Sequence, residues 1–220
     1  MANYWEYNGT TWIKESPLRG LTGLGGGAVM SSMAGETDSP NPWTHDGTYT
    51  WTGSNTIGTR IDGGENISWG QNLTEFTFQW EVYINPSATN NSWHLQVTPG
   101  WSETGGLLIG IYNTWKVSIA GPQLGGYGAQ APSNLTSATW HTIRYAFDHD
   151  GGSSGKNQQL IYYNGSIEQT DNTTGQQTYV TWSTGIWGGA GRQGPTQPFQ
   201  TAFNGGIRNL KLTDTFNAQF

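Results

Sequence analysis

The sequence predicts an all-β fold in which two antiparallel sheets pack face to face. Charged residues are 11% of the chain against roughly 25% in ordinary domains, and glycine, at 33 of 220 residues, is about twice as frequent as usual. Apolar patterning with the period of a helix is almost absent. One stretch alternates instead with the period of a strand and places five apolar side chains on one face: Phe76, Phe78, Trp80, Val82 and Ile84.

Chain length and composition fit one large domain stabilised by its core. For a chain of 220 residues and 24.0 kDa, folding buries roughly 70% of the surface of the unfolded chain, so the core needs no covalent cross-links. Cysteine is absent, which excludes disulfides and thiolate metal sites.

The first predicted element is a β-hairpin over residues 4–13. Asn8-Gly9, a dipeptide typical of two-residue turns, lies between two short segments rich in aromatic residues. A two-stranded hairpin is marginally stable alone in water, so it must dock on its own sandwich or on a neighbouring subunit. If the hairpin docks on a neighbouring subunit, it is an assembly arm that makes its contacts through four aromatic residues: Tyr4, Trp5, Tyr7 and Trp12.

Residues 16–47 are predicted to form an extended arm. Glycine, serine and proline recur throughout this segment, and neither a strand period nor a helix period is sustained. So long a stretch without elements is uncommon inside a compact domain and indicates a linker or a binding arm. The sequence therefore predicts a hairpin and glycine-rich arm at residues 1–47, followed by a β-sandwich at residues 48–220.

From Tyr49 onward, short apolar and aromatic segments separated by turn residues predict closely spaced strands. The best of them ends before Pro86, since proline cannot donate a hydrogen bond to a sheet. A loop is predicted at residues 121–134. Outside the central hairpin, the predicted strands are Tyr49–Thr52, Thr59–Ile61, Ile67–Trp69, Phe76–Ile84, Trp93–Val97, Leu107–Ile111, Trp115–Ile119, Tyr179–Trp182, Gly185–Trp187 and Gly206–Leu212.

A long β-hairpin over residues 140–166 is the predicted centre of the sandwich. Asn164-Gly165 near its end suits a tight turn, because both residues tolerate positive φ. Two alternating sets of side chains point to opposite faces of its first strand: His141, Ile143, Tyr145 and Phe147 on one face, and Trp140, Thr142, Arg144 and Ala146 on the other.

Four segments of the chain resemble, in the same order, the signature segments of the laminin-G-like, concanavalin A-type jelly rolls. They are TRIDGGENISWGQNLTEFTFQWEVYINP (59–86), WHTIRYAFDHDGG with LIYYNG (140–165), STGIWGGAGRQ (183–193) and FNGGIRNLKLTD (203–214). The resemblance spans about residues 48 to 216 and implies a jelly-roll β-sandwich. It leaves the function open, because this fold hosts lectins, glycosidases, lyases, adhesins and viral coat components.

Charge and terminal sequence bear on the partners and the location of the chain. The net charge is −6 with nine basic residues, and these form no cluster, which argues against nucleic-acid binding. No apolar run approaches the length of a membrane span. The N-terminal MANYWEYNG has neither a basic nor an apolar signal region, so we expect the chain to be completed in a cytoplasm.

The acidic residues suggest no catalytic pair. Glycoside hydrolysis uses two carboxyls roughly 5 to 9.5 Å apart. Glu75 and Glu81 share one strand face, but six residues at about 3.3 Å each put them roughly 20 Å apart. Asp148 and Asp150 begin a glycine-rich loop without rigid support. The sequence therefore predicts a protein without catalytic residues.

A calcium site is one kind of binding site that the sequence leaves open. The resemblance implies such a site on the rim of the fold, where Asp62, Asp148 and Asp150 are the available oxygen donors. The alternative is that these aspartates form hydrogen bonds within turns. No other cofactor is expected.

Exposed aromatic residues are the second kind of site. Four of them lie in or beside glycine-rich turns: Trp43, Trp101, Tyr127 and Trp187. On an open rim such a ring stacks on a sugar or anchors a protein interface. The alternative is that the four rings cover the open ends of the sandwich.

The function predicted from the sequence is a non-enzymatic structural role on a virion surface. The YxYNGTTWI unit near the N-terminus resembles openings found in bacteriophage structural proteins, and the arm needs an external surface to become ordered. We expect an oligomeric or assembly-bound chain whose hairpin and arm hold it to capsid or fibre subunits, with weak adsorption to cell-surface polysaccharide. One alternative is an extracellular carbohydrate-binding, lectin-like module. The other is a polysaccharide-degrading enzyme.

Overall fold

A computed structural model gives the structure of the chain. It describes residues 4–7, 12–15, 40–53, 58–65, 67–88, 92–97, 105–112, 115–121, 124, 126–173, 175–189 and 203–220. These residues belong to two compact units, Met1–Asp38 and Ser39–Phe220.

The first unit contains the predicted N-terminal hairpin. Strands β1 (Tyr4–Tyr7) and β2 (Trp12–Glu15) are antiparallel, and Tyr7 lies opposite Trp12. A two-residue turn at Asn8-Gly9 would have paired Tyr7 with Thr10, so the register differs from the predicted one. The part played by its aromatic residues in assembly stays a prediction.

The second unit contains the sandwich. Its strands are β3 (Trp43–Thr52), β4 (Thr59–Arg60), β5 (Glu75–Ile84), β6 (Ser92–Val97), β7 (Leu107–Tyr112), β8 (Lys116–Gly121), β9 (Gly126–Gln130), β10 (Trp140–Asp148), β11 (Gln158–Tyr163), β12 (Ser166–Asp171), β13 (Ile186–Gly188) and β14 (Asn204–Thr213). Sheet A has the order β12-β11-β10-β5-β14-β3, and sheet B has the order β4-β13-β6-β7-β8-β9. The predicted fold of two antiparallel sheets is confirmed.

The sandwich begins before residue 48, where the sequence placed its start. Strand β3 starts at Trp43, so residues 43–47 belong to the sandwich and not to the predicted arm. Gly47 interrupts the strand pattern in the sequence, but the structure requires a small residue there. A Cβ at Gly47 would lie 2.5 Å from His45 Nε2 and 3.0 Å from Tyr49 Cε2, because these two rings close over the glycine.

The core between the sheets is organised on β5. The predicted apolar face of this strand is buried, with Phe76, Phe78 and Trp80 fully so, and burial alternates from Phe78 to Ile84. The rings of Phe76 and Phe78 both pack on Trp182, at centroid distances of 5.0 and 4.6 Å, and Phe76 stacks on Phe147 at 5.3 Å. Because the core fixes one face of β5, the alternate side chains must point away from it.

Strands β10 and β11 form the predicted central hairpin. Strand β10 pairs with β5 on one side and with β11 on the other. Tyr145 and Phe147 face the core, while Trp140 and Thr142 are partly exposed on the opposite side. The turn at Asn164-Gly165, with φ of 48° and 88°, leads from β11 into β12.

The edges of the sheets differ from the prediction. Strand β9 lies inside the predicted loop at 121–134, and β12 was not predicted. Their sequences, GYGAQ and SIEQTD, carry little of the β-branched and aromatic content that marks a strand. Tyr179–Trp182 was predicted as a strand, but in the described part of the chain it contributes an isolated bridge between Val180 and Leu73.

A short 3-10 helix, Ser68–Gly70, replaces the predicted strand Ile67–Trp69. The Gly70 N–H donates to the Ile67 carbonyl at 2.8 Å and closes this turn. A Cβ at Gly70 would lie 2.9 Å from the Cβ of Trp182, so the turn packs directly on the core. The described residues include no helix with the length and apolar character needed to cross a membrane.

His94 is a buried titratable residue at a bulge of β6. Its ring lies 5.3 Å from the ring of Phe203 and 6.1 Å from that of Trp80. Neither ring nitrogen has a hydrogen-bond partner among the described residues. Burial lowers the pKa of His94 to about 3, so the imidazole is neutral at pH 7.

We expect His94 to make the fold sensitive to acid. The imidazole titrates at 6.5 in the unfolded chain and at about 3 in the folded one, so the unfolded state binds the proton first as the pH falls. Between pH 7 and pH 4.5 this uptake lowers the free energy of unfolding by about 2.5 kcal/mol, and the loss continues towards the folded pKa. Urea unfolding of the wild type and of His94→Leu at pH 7 and pH 4.5 measures the effect. The wild type should lose about 2.5 kcal/mol more than the variant, and equal losses would contradict a neutral buried ring.

Candidate functional site

The two sheets differ in the accessibility of their outer faces, the faces turned away from the core. On sheet B, four side chains that alternate away from the core are at most 3% exposed: Gln96, Leu108, Ser118 and Ala120. On sheet A, the outward side chains of β5 and β10 include several that are partly exposed. Among the described strands, sheet A has partly exposed outward side chains at its centre, whereas those of sheet B lie towards its edges: Arg60, Trp187 and Gln130.

Strand register arranges the outer face of sheet A in rows. Strand β5 lies in the middle, with β10 on one side and β14 on the other. Read from β10 through β5 to β14, three successive rows are Trp140–Tyr83–Gly206, Thr142–Glu81–Arg208 and Arg144–Gln79–Lys211. The centre of this face therefore combines charged groups, amides and aromatic rings.

The first recess on this face, the Glu81 recess, has a volume of about 290 Å³. Arg208 donates to one Glu81 carboxylate oxygen at 3.1 Å, and the Asn209 amide donates to the other. Burial alone would raise the pKa of the Glu81 carboxyl, but these hydrogen bonds and the charges of Arg208 and Lys211 outweigh burial and lower that pKa below its usual range. The recess is lined by Thr44, His45, Asp46, Gln79, Glu81, Thr142, Asn209, Leu210 and Lys211.

A bulge in β14 brings Asn209 to this carboxylate. The strand register shifts between Arg208 and Lys211, and Asn209 has a φ of 53°. Asparagine is one of the few residues that adopt this left-handed conformation readily. The bulge therefore aims the amide at Glu81 instead of continuing the ladder.

The second recess, the Arg144 recess, adjoins the first and has a volume of about 440 Å³. The C-terminal segment crosses the sheet beside it. Thr77 donates to the Thr215 carbonyl at 2.6 Å and accepts the Ala218 N–H at 2.9 Å. Arg144 donates to the Ala218 carbonyl at 3.1 Å and to the Asn217 side-chain oxygen at 3.3 Å. The recess is lined by Gln79, Thr142, Arg144, Asn164, Gly165, Gln219 and Phe220.

Gln79 and Thr142 line both recesses and join them into one groove. Gln79 comes from the middle strand, and its amide has no hydrogen-bond partner among the described residues. This amide offers a donor and an acceptor to a ligand in either recess.

A third recess, the Tyr83 recess, has a volume of about 420 Å³ and lies towards the row of Tyr83 and Trp140. These two rings are 5.5 Å apart at an angle of 45°, and the Arg208 guanidinium lies 4.2 Å above the Trp140 ring. A Cβ at Gly206 would come within 2.8 Å of the Trp140 indole, so glycine leaves room for it. The recess is lined by Thr50, Trp51, Thr52, Tyr83, Asn85, Ser87, Asn204 and Gly205.

The groove fits hydrogen bonding better than proton transfer. Glu81 is held by two donors and has a lowered pKa, so it accepts hydrogen bonds and does not serve as a general acid near neutral pH. Glu75 and Asp148 do form a pair of carboxyl residues, as partners at the ends of β5 and β10. Neither of them lines the three recesses.

Trp43 is not the exposed rim residue that the sequence suggested. It is fully buried, its indole N–H donates to Glu65 at 2.7 Å, and its ring stacks on His45 at a centroid distance of 6.1 Å. As the first residue of β3, Trp43 lies on the inward-facing side of that strand.

The other predicted rim aromatics lie away from the groove or outside the described residues. Trp187 on β13 is partly exposed and pairs with Arg60 in sheet B. Tyr127 lies on β9 opposite Ala120, and its backbone alone is described. Trp101 lies outside the described residues.

The three aspartates proposed for calcium do not form one group. Both carboxylate oxygens of Asp62 accept donors from the protein, including Arg60 at 2.6 Å and the Ile186 N–H at 3.0 Å. Asp148, His149 and Asp150 bring ligand atoms within 4.8 Å of one another, and Asp62 is not part of this group. Two carboxylates and an imidazole differ from the all-oxygen ligands that calcium prefers.

Sequence reasoning missed the groove because its residues are far apart in the chain. Arg144 was placed on the strand face opposite Tyr145 and Phe147 without a role, and Glu81 was considered as half of an acid pair. Arg144, Gln79 and Lys211 become neighbours through the pairing of β10, β5 and β14. The sequence did contain one indication of the groove: polar side chains, among them Gln79 and Glu81, alternate with the apolar side chains of β5.

Comparison with known proteins bears on the fold. No protein-family model and no curated protein sequence matches the chain. Solved structures do match. The carbohydrate-binding module CBM40 of the Ruminococcus gnavus IT-sialidase, bound to α2,3-sialyllactose, has a TM-score of 0.61 and 11% identity over 81% of this chain and 95% of the module.

Two further structures have the same architecture. A heptameric SAP-like pentraxin from Limulus polyphemus has a TM-score of 0.53 and 12% identity, over 79% of this chain and 78% of the pentraxin. A NanB sialidase mutant from Streptococcus pneumoniae has a TM-score of 0.57 and 11% identity, over 82% of this chain but 27% of the sialidase. At these identities the likeness shows the fold, and the second unit is a jelly-roll β-sandwich like the CBM40 module.

Proposed function

We propose that this chain is a non-catalytic carbohydrate-binding protein that holds a glycan in the groove formed by the Glu81 and Arg144 recesses. The observation that carries the proposal is the open face of sheet A. Hydrogen-bonding side chains line its recesses, whereas the outward side chains in the middle of sheet B are buried: Gln96, Leu108, Ser118 and Ala120. A concave site with a few converging polar groups is the usual form of a small-ligand site.

The groups in the groove match those of a sugar. A sugar ring has hydroxyl groups that donate and accept hydrogen bonds, and C–H faces that are apolar. The Glu81 carboxylate accepts, the Lys211 ammonium donates, and the Gln79 amide does both. Phe220 lines the Arg144 recess and offers a ring on which a C–H face can pack.

The structural likenesses support a glycan ligand. The R. gnavus module was solved with sialyllactose bound and has the same fold as this chain. The fold alone does not fix the ligand, so the proposal depends on the groove residues of this chain. It favours the lectin-like alternative over the virion role that the sequence suggested first.

A virion-surface role stays a prediction, as does a location outside the cell. None of the three structures named above is described as a virion protein. The observation that favours an anchored chain is the separate compact unit Met1–Asp38 with its hairpin. Under this reading the hairpin binds capsid or fibre subunits while the sandwich binds polysaccharide.

Replacing Gln79 by alanine is expected to weaken glycan binding without unfolding the chain. Gln79 makes no structural hydrogen bond to the described residues, and loss of one hydrogen bond to a ligand lowers affinity roughly three- to tenfold. A glycan array identifies a ligand, and calorimetry then compares the wild type, Gln79→Ala and Gln169→Ala. Gln169 is a matched control, since it is a partly buried glutamine on β12 outside the three recesses. Equal affinities in all three proteins would contradict the groove, and an array without any ligand would contradict the function.

The bound glycan should remain intact. Glu81 is ionised and held by two donors, and the Glu75–Asp148 pair lies outside the groove. Mass spectrometry of the glycan after long incubation with the chain is expected to show no shorter products. Fragments that disappear in Glu75→Gln or Asp148→Asn would contradict the non-catalytic proposal and assign cleavage to that pair.

A further inference from the structure

Arg144 differs from the other described arginines in having no carboxylate partner. Arg60 pairs with Asp62 at 2.6 Å, and Arg208 pairs with Glu81 at 3.1 Å. Arg144 is 7% exposed, whereas the side chains of Arg60 and Arg208 are 31% and 34% exposed. The most buried of the three cations is therefore the one that no described acid neutralises.

The surroundings of Arg144 hold its guanidinium in place without balancing its charge. The guanidinium lies 3.8 Å over the ring of Tyr162. Its two terminal nitrogens donate to the Ala218 carbonyl and the Asn217 amide oxygen, and its Nε has no partner among the described residues. Both acceptors are neutral, so two of five N–H groups are used and the charge stays uncompensated. A cation removed from water is costly unless an anion joins it.

The side chains that line the Arg144 recess favour an anion over a cation. Arg144 is the one cationic side chain among the described lining residues, and no acidic side chain is among them. The neighbouring Glu81 recess, in contrast, contains Glu81 and Asp46 beside Lys211, and Arg208 pairs with Glu81. An anion that enters the groove therefore finds a cation without a described carboxylate partner on the Arg144 side, and cations already accompanied by carboxylates on the other.

We infer that the Arg144 recess binds the carboxylate of an acidic sugar, such as a uronic or sialic acid. This inference rests on the proposed function and names the class of glycan. Each terminal nitrogen of Arg144 keeps one N–H group, and these donate to the carboxylate in a charge-assisted hydrogen bond. Gln79, Asn164 and Gln219 supply amides for the hydroxyl groups, and Phe220 supplies a ring face. A volume of about 440 Å³ is large for a bare inorganic anion and suits a sugar residue.

The test compares each acid with its own methyl ester, which removes the charge and keeps the sugar. Trigalacturonic acid and 3′-sialyllactose, each with its methyl ester, are titrated into the full chain by calorimetry. In the wild type, the acid of at least one pair should bind roughly ten- to hundredfold more tightly than its ester, as expected for a hydrogen bond to a charged group. Sodium sulfate serves as the competitor without a sugar.

Two variants test whether Arg144 causes the preference for the acid over its ester. In Arg144→Gln the ratio of acid to ester affinity should fall to about one, whereas Lys156→Gln, which removes a positive charge from the β10–β11 loop, should keep it. Because acid and ester are compared within each variant, a general loss of affinity does not mimic this result. If Arg144→Gln fails to fold, a wild-type ratio of about one still overturns the inference.

Several outcomes would overturn the inference. Equal binding of acid and ester in the wild type would show that the groove takes neutral sugars, and the proposed function would stand. A preference that persists in Arg144→Gln would place the carboxylate elsewhere. Displacement of the acid by sulfate at equal affinity would indicate an adventitious ion only. Failure of a broad glycan array would contradict the proposed function together with the inference.

Discussion

The alternation of β5 is the constraint on which the rest of the sandwich depends. Phe76 and Phe78 pack on Trp182 in the core, so Gln79 and Glu81 must lie on the outer face. A slip of one residue would exchange the two sets of side chains and bury a carboxylate in place of a phenyl ring. Burying the aromatic face is thus also what builds the groove. Stability and binding surface come from the two sides of one strand.

The outer face of sheet A carries three of the basic residues of an acidic chain. The chain has a net charge of −6 with nine basic residues, yet Arg144, Arg208 and Lys211 lie on this one face. Both arginines lie over aromatic rings, Arg144 over Tyr162 and Arg208 over Trp140. A guanidinium supported in this way loses little freedom when a ligand arrives, which favours affinity. The two arginines differ in one respect: a carboxylate neutralises Arg208 and none of the described carboxylates neutralises Arg144.

The centre of the fold could be predicted from the sequence, and its edges and its groove could not. Alternation marks β5 and β10 because one side of each packs in the core. The edge strand β12 is mostly polar and β9 is rich in glycine, so neither shows that alternation. In β3, Gly47 interrupts the alternation, and the first half of the strand could not be recognised. Trp43 was placed on a rim because of its neighbours in sequence, but its own position on the strand turns it inward. The groove needs three strands brought together, and pairing between distant strands cannot be read from local pattern.

Nuclear magnetic resonance can locate a glycan on the outer face of sheet A. Side-chain amide signals of Gln79 and Asn164 report on the groove, while the indole signal of Trp187 and the amide signal of Gln96 report on sheet B. On titration with a glycan ligand, we expect the Gln79 and Asn164 signals to shift and the signals from sheet B to stay unchanged. Shifts confined to Trp187 and Gln96 would contradict binding in the groove.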